Sequence, residues 1–201
     1  MKAAAIHGQE SIGDSPVTEA SSVPGSAATA DDAPACYGLN MKRARLDHET
    51  LMRRAISLSL QQAAARAGGP FGAVIARDGE IIAEGANCVT TGNDPTAHAE
   101  IVAIRRACAT LGVFALSDCV IYSSCEPCPM CLSAIYWARL AKLYFAGTRI
   151  EAAAAGFDDE FLYHEIPRPI EQRRIPTVRL LAAEAGEAFE LWRADLHKVS
   201  Y

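Results

Sequence analysis

Two short stretches of the sequence combine residue types that bind metal ions and transfer protons. The first, at residues 95–100, reads Pro-Thr-Ala-His-Ala-Glu, and the second, at residues 125–131, reads Cys-Glu-Pro-Cys-Pro-Met-Cys. Both fall where the sequence pattern predicts that a loop becomes a helix. Cys128 and Cys131 are three residues apart, so they lie on one face of a helical turn. A helix N-terminus also favours the thiolate, which is the form of cysteine that binds metals.

His98 adds to the two cysteines a third ligand of a type that zinc prefers. Three protein ligands and an open fourth position are typical of a catalytic zinc site, whereas a fourth side chain closes a structural one. Glu100 follows His98 by two residues, and two residues at this spacing point to opposite faces in the interior of a helix. Both can therefore serve one centre only at the entry of a helix, where side chains can point past its end. There Glu100 would stand beside the open position without binding the metal. These residues predict one Zn²⁺ per chain, with Glu100 as general acid and base.

The Cys-x-x-Cys pair has two simpler interpretations, as a redox pair or as half of a structural zinc site. The first interpretation leaves His98 and Glu100 unexplained, and the second lacks a fourth ligand. Cys125 is interpreted as a neighbour of the site, because its spacing offers the metal a surplus ligand. The remaining cysteines and histidines lack partner spacing and are interpreted as core, tail or surface residues.

The composition excludes several classes of protein. Of the 201 residues, 50% are hydrophobic and 21% are charged, which argues against a wholly disordered chain, a collagen-like repeat or a coiled coil. The cysteines number seven, and without a secretory signal pattern they favour a metal or catalytic use over a disulfide scaffold. No apolar run approaches the roughly 18 residues of a membrane span. We therefore expect a cytoplasmic protein with no membrane partner.

The charge is distributed unevenly along the chain. Residues 1–40 hold one lysine and five acidic residues, whereas the rest of the chain holds 18 basic and 19 acidic residues. Neither part is basic, so no nucleic-acid partner is expected. Residues 1–40 also contain too few bulky apolar residues to offset the entropy of ordering. We expect a disordered N-terminal extension over residues 1–45 and one folded domain over residues 46–201.

The apolar pattern predicts an α/β domain that positions the two stretches. Asp47 is the expected N-cap of a first helix. An Asp-Gly pair at 78–79 joins two apolar runs and predicts a hairpin. The expected helices are 48–66, 97–111, 129–140, 149–155 and 187–198, and the expected strands are 71–76, 81–84, 119–122, 143–146 and 177–181. This alternation favours a mixed five-stranded sheet that is covered on both faces, with an N-terminal hairpin and later parallel strands.

The His-x-Glu followed by Pro-Cys-x-x-Cys is the pattern of the zinc nucleobase deaminases. Residues 48–201 as a whole resemble the bacterial guanine deaminases of the cytidine deaminase superfold. The resemblance lies in residues 69–74 (GPFGAV), 94–100 (DPTAHAE), 124–131 (SCEPCPMC), 134–139 (AIYWAR) and 156–163 (GFDDEFLY). The first three stretches occur across related deaminases, and the last two are more specific to the guanine enzymes.

The resemblance implies a three-layer α/β/α cytidine-deaminase-like fold and assigns the catalytic groups by position. His98, Cys128 and Cys131 are the implied zinc ligands, and Glu100 is the implied proton shuttle. Asp159 is implied to contact the base edge and to assist protonation of the leaving amine. The implied reaction is the hydrolysis of guanine to xanthine and ammonia by a zinc-activated water.

The resemblance also assigns four residues to substrate binding. Asn87 is implied to hydrogen-bond the purine, Phe71 to stack near it, and Trp137 to close the pocket. Members of this family exchange their C-terminal segments, which implies a domain-swapped homodimer in which the hydroxyl of Tyr201 serves the partner's site. Spacing alone gives no role to Phe71, Trp137 or Tyr201, and only Asn87, in an otherwise apolar strand, suggests a ligand by its own position.

The residues leave other functions open. A tRNA adenosine deaminase shares the zinc motifs, but RNA binding favours a basic surface that the charge balance does not provide. Guanosine or cytosine as the substrate fits the same motifs, because the volume of a pocket is not readable from sequence. A zinc-binding module without enzymatic activity would bind the metal and release no ammonia.

Overall fold

The structure, a computed structural model, describes residues 45–157 and 159–200. The expected extension over residues 1–45 therefore lies outside the described residues except for Arg45. The first helix, α1, spans His48–Ala65, and Asp47 caps it as predicted. The Asp47 Oδ1 accepts a hydrogen bond of 2.7 Å from the backbone N–H of Thr50, which satisfies one of the amide groups exposed at the helix start.

The predicted hairpin is confirmed and begins the sheet. Strand β1 (Gly72–Arg77) pairs antiparallel with β2 (Glu80–Ala86). Asp78 and Gly79, which join the strands, have φ angles of 52° and 79°. Positive φ at both residues is the geometry that matches the twist of a two-residue hairpin.

Helices and strands alternate after the hairpin. They are α2 (Val89–Gly92), α3 (Ala99–Leu111), β3 (Val120–Cys125), α4 (Pro129–Trp137), β4 (Lys142–Gly147), α5 (Arg149–Ala154), α6 (Glu160–Glu165) and α7 (Ala182–Ala194), with a 3₁₀ turn at Ile170–Gln172. The short helices α2 and α6 were not predicted. Helix α4 ends before the predicted residue 140, because Arg139 has a φ of 57° that interrupts the helical backbone.

The sheet has four strands among the described residues, in the order β2-β1-β3-β4. β1 pairs antiparallel with β2 and β3, and β3 pairs parallel with β4, which confirms the mixed sheet with a later parallel pair. The prediction of a fifth strand over residues 177–181 was wrong. No described strand lies beside this segment, and Val178 and Leu180 are 84% and 78% exposed. An apolar run forms a strand only where neighbouring backbone and side chains pair with it.

The sheet separates two helical layers, as the three-layer prediction requires. Successive side chains of β1 point to opposite faces of the sheet. Val74 and Ala76 pack against α1 on one face, whereas Ala73 and Ile75 pack against α3 and α4 on the other. In the part of the chain that the structure describes, no helix has the length and apolarity needed to cross a membrane.

Gly85 allows α3 to lie very close to β2. A Cβ atom at this position would lie 2.1 Å from the carbonyl oxygen of Ala99 and 2.6 Å from the amide nitrogen of Ala103. Both distances are far below a van der Waals contact, so only glycine fits. The close approach brings the first turn of α3, which contains the end of the sequence motif at residues 95–100, against the sheet.

Candidate active site

The two sequence motifs lie at the first turns of α3 and α4. His98 is the N-cap residue of α3 and Cys128 is the N-cap residue of α4, and both have an extended backbone. Neither side chain forms a capping hydrogen bond with its own helix. Pro129 occupies the first turn of α4, where its fixed φ and its missing N–H suit a helix start.

His98, Cys128 and Cys131, called the metal-binding triad below, come together at these helix ends. One ligand atom from each lies within 4.8 Å of the other two, and the Nδ1 of His98 lies 3.6 Å from the Sγ of Cys128. Both cysteines are buried and His98 is half-buried. One imidazole and two thiols suit zinc and leave the fourth tetrahedral position open. The geometry and the chemistry of the triad therefore fit a zinc ion with an open position.

The pKa values of the two thiols of the triad are shifted in opposite directions. A hydrogen bond from Cys131, helped by His98, lowers the pKa of Cys128 to about 4. The same hydrogen bond, together with burial, raises the pKa of Cys131. This arrangement favours the thiolate at Cys128, and the thiolate is the form of cysteine that binds a metal.

Glu100 lies in the first turn of α3 and is 6% exposed. Its Oε1 accepts a hydrogen bond of 2.9 Å from the Oγ of Ser123. Burial raises the pKa of this carboxyl group, because the charged form loses contact with water. A carboxyl group with a raised pKa holds a proton more readily near neutral pH, which suits a residue that both accepts and returns one.

A cavity of about 220 Å³ opens beside the triad and is called the active-site cavity below. Five of the nine residues predicted for the site line it. Four further residues complete its lining. The full lining is Phe71, His98, Glu100, Cys125, Glu126, Cys128, Ala152, Phe157 and Asp159.

Asp159 holds an unsatisfied oxygen in this cavity. Its Oδ1 is buried and accepts no hydrogen bond from any described residue. Burial raises the pKa of the Asp159 carboxyl group. A buried acceptor without a partner costs free energy, so a ligand with an N–H donor would relieve that cost.

Asn87 and Trp137, two of the residues predicted for substrate binding, do not line the active-site cavity. The Oδ1 of Asn87 accepts hydrogen bonds of 3.2 Å from the N–H groups of Gly69 and Val89, so it organises the loop that precedes β1. Trp137 ends α4, is 62% exposed and lines two grooves elsewhere on the surface. Tyr201 lies outside the described residues.

The sequence analysis gave no role to Ser123, Glu126, Ala152 or Phe157. Glu126 joins two loops of the site, because its Oε2 accepts a hydrogen bond of 3.1 Å from the backbone N–H of Arg149. Two of these four residues lie in stretches that the sequence analysis had singled out, which could have indicated a place in the site. Glu126 lies inside the Cys125–Cys131 motif, and Phe157 lies inside residues 156–163. Ser123 and Ala152 had no comparable signal, since small residues are common in strands and helices.

Residues 45–147 match the family model described as the cytidine and deoxycytidylate deaminase zinc-binding region. This chain belongs to the cytidine and deoxycytidylate deaminase family. The matched residues of the deaminase include Glu100 and the whole metal-binding triad, and its cofactor is zinc.

The resemblance of this deaminase to bacterial guanine deaminases is confirmed. It is 53% identical over 156 residues to the guanine deaminase of Bacillus subtilis. These residues make up 78% of this chain and 100% of the relative. The X-ray structure of that enzyme matches with a TM-score of 0.75 and covers 78% of this chain and 99% of the other.

Two other relatives of this deaminase differ in what they bind. The crystal structure of a single-residue mutant of the protein NE0047 in complex with 8-azaguanine is one of them. Its sequence is 34% identical to this chain, and the match has a TM-score of 0.56 and covers 63% of this chain and 69% of the other. The tRNA-specific adenosine deaminase of Agrobacterium fabrum is 40% identical over 100 residues, which are 47% of this chain and 66% of the relative. The similarity to the RNA-modifying enzyme is therefore confined to a smaller part of the chain.

Proposed function

We propose that this protein hydrolyses guanine to xanthine and ammonia. The observation that carries the proposal is the buried Oδ1 of Asp159, an acceptor without a partner among the described residues, in the cavity beside the triad. Guanine presents N–H donors at N1 and at its 2-amino group, and both nitrogens are bonded to C2, the carbon that reacts. A carboxylate acceptor complements that edge. The 53% identity with the Bacillus subtilis guanine deaminase supports the same substrate.

The charge of the active-site cavity favours a neutral base over a nucleotide. Three carboxyl groups, those of Glu100, Glu126 and Asp159, line the cavity, and no lysine or arginine does so among the described residues. A phosphate group near these carboxylates would meet unfavourable electrostatics. Free guanine carries no such charge.

Each residue of the cavity has a separate task in this proposal. A zinc ion held by His98, Cys128 and Cys131 would supply Lewis acidity, which makes a water molecule nucleophilic at neutral pH. Glu100 accepts one proton from the attacking water and delivers it to the ring nitrogen N3. It then carries the proton of the new 2-hydroxyl group to the 2-amino nitrogen, so that the bond from C2 to this nitrogen breaks as the C2 carbonyl forms and ammonia leaves. Asp159 accepts a hydrogen bond from the base edge and assists protonation of the leaving amine. The small cavity orients the base and limits access of bulk water.

The function is tested by ammonia release from a panel of substrates with the zinc-loaded full chain. Guanine, guanosine, adenine, cytosine and tRNA are compared under one set of conditions. We expect guanine to exceed each of the others by roughly 10²-fold or more in kcat/KM, because the alternatives leave Asp159 unpaired or do not fit the cavity. Ammonia from tRNA alone would instead assign the protein to the adenosine enzymes. Zinc binding with no ammonia from any substrate would indicate a binding module.

We further propose that the protein is a homodimer in which the C-terminal segment crosses to the partner subunit. Exposed apolar side chains along the last 25 or so residues support this, because a monomer rarely leaves so many in water. They include Val178, Leu180, Phe189, Leu191 and Leu196. A groove of about 740 Å³, lined by Ile104, Phe114 and Trp137 among others, offers an apolar surface to such a segment, and Val199 of the C-terminal segment already lies along it.

Chain mixing tests the exchange. A Glu100→Gln protein is mixed with a Tyr201-deleted protein under conditions that exchange subunits. If the C-terminal segments cross, a mixed dimer contains one site with an intact Glu100 and a Tyr201 from the other chain, so activity returns. If each segment serves its own subunit, no site holds both residues, and a verified mixed dimer stays inactive.

A further inference from the structure

Ser123 is a buried polar residue that the proposed mechanism does not use. It lies in β3 and is 2% exposed. Its hydroxyl group donates a hydrogen bond of 2.9 Å to the Oε1 of Glu100. A hydroxyl group buried this deeply costs stability unless it is hydrogen-bonded, so the bond to Glu100 accounts for its presence in the core.

The strand holds this hydroxyl group rigidly. Ser123 pairs with Ala73 of β1 on one side and with Phe145 of β4 on the other, so it occupies an interior strand of the sheet. Glu100, by contrast, has three rotatable side-chain bonds, and its place in the first turn of α3 does not fix where its carboxylate points. A donor on a rigid strand therefore supplies the orientation that the flexible side chain lacks.

We propose that Ser123 is the positioning residue of Glu100. Its hydroxyl group holds one carboxylate oxygen, so that the other oxygen faces the active-site cavity and moves the proton between water and the base. Ser123 does not touch the substrate in this arrangement. The kinetic consequence rests on the proposed guanine deaminase function, whereas the contact itself does not.

The kinetic test compares Ser123→Ala with Ser123→Thr, which keeps the hydroxyl group. Ser59→Ala is the matched control, because Ser59 is also buried and its hydroxyl donates to the Ile56 carbonyl within α1, on the other face of the sheet. We expect Ser123→Ala to lower kcat for guanine by about tenfold or more, with little change in KM or zinc content. We expect Ser123→Thr to recover most of the lost kcat and Ser59→Ala to retain it. The proposal would be overturned if Ser123→Ala kept the kcat of the wild type, or if it lost its bound zinc together with its activity.

A second measurement separates this proposal from the proposed function. The melting temperature is measured for Ser123→Ala alone, for Glu100→Ala alone and for the double variant. If the two side chains are bonded, Ser123→Ala lowers the melting temperature much less in the Glu100→Ala background than in the wild type. Additive shifts would show that Ser123 does not hold Glu100. A wild-type protein that releases no ammonia from guanine would refute the proposed function. The comparison of the three melting temperatures would still show whether Ser123 holds Glu100.

Discussion

The rings of Phe71 and Phe157 meet edge to face, with their centroids 4.7 Å apart and an angle of 76° between their planes. Phe71 directly precedes β1, and Phe157 follows α5, so two segments distant in sequence meet in the wall of the active-site cavity. Edge-to-face contact is a preferred geometry for aromatic pairs and holds both rings in place. The pair forms an aromatic wall against which a planar base can pack.

Replacing Phe157 with alanine should weaken the binding of guanine. The substitution removes one ring of the wall and leaves Phe71 without its aromatic contact, which is worth about 0.5–1.5 kcal/mol. We expect kcat/KM to fall about 2- to 10-fold, mainly through KM, as measured in steady-state assays. Phe145→Ala is the control, because Phe145 is 47% exposed on β4 and does not line this cavity. An unchanged KM in Phe157→Ala would remove Phe157 from the binding surface.

Glu100→Gln should separate catalysis from metal binding. The amide keeps the shape of the side chain but cannot carry the proton, so activity should fall by roughly 10²–10⁴-fold. Zinc content should stay near one ion per chain, because Glu100 is not a member of the metal-binding triad. Activity and metal analysis on the same sample decide the matter. Loss of zinc together with activity would make Glu100 a ligand or a structural residue.

Cys128→Ala should lose the metal itself. The substitution removes one of three ligand atoms that lie within 4.8 Å of one another, and two ligands hold zinc much more weakly than three. Cys119→Ala is the matched control, since Cys119 is fully buried but packs in the core away from the triad. Metal analysis after dialysis should find zinc in Cys119→Ala and almost none in Cys128→Ala. Deamination by metal-free Cys128→Ala would contradict the zinc mechanism.

Asp159→Asn should lower the activity toward guanine while the metal stays bound. The neutral amide is a weaker acceptor for the base edge than a carboxylate, and hydrogen bonds to charged groups are worth about 1.5–3 kcal/mol. We expect kcat/KM to fall by about tenfold or more, with an unchanged zinc content. Asp118→Asn serves as the control, because Asp118 forms an exposed ion pair with Arg77 outside the cavity. Equal activity in Asp159→Asn and the wild type would show that the Asp159 carboxylate does not bind the base edge.

The parts of the structure that depend on local spacing were predictable from the sequence. The Asp-Gly hairpin, the Asp47 cap and the proximity of Cys128 to Cys131 each follow from the geometry of a few neighbouring residues. The segment 177–181 was misassigned because an apolar run becomes a strand only where another strand pairs with it, which is a property of the whole fold. The contacts of Ser123 with Glu100 and of Phe157 with Phe71 were not predicted for the same reason, since the two residues of each pair lie more than 20 positions apart in the sequence.

Gly85→Ala should destabilise the domain and disturb the site together. The new methyl group would lie 2.1 Å from the Ala99 carbonyl oxygen, so α3 must move away from β2. Overpacking of this kind costs about 1–3 kcal/mol, which lowers the melting temperature by roughly 2–10 °C. Because His98 and Glu100 begin this helix, its displacement should also weaken zinc binding.

Gly92→Ala provides the control for this change. Apart from its chain neighbours and the backbone of its own helix, no atom of the described residues lies within 4 Å of a Cβ at Gly92, so an alanine there meets open space. Its melting temperature should equal or slightly exceed that of the wild type, because alanine restricts the unfolded chain more than glycine does. Thermal unfolding and zinc titration of both variants test the argument. If Gly85→Ala matched Gly92→Ala in both measurements, the close approach of α3 to β2 would not be what positions His98 and Glu100.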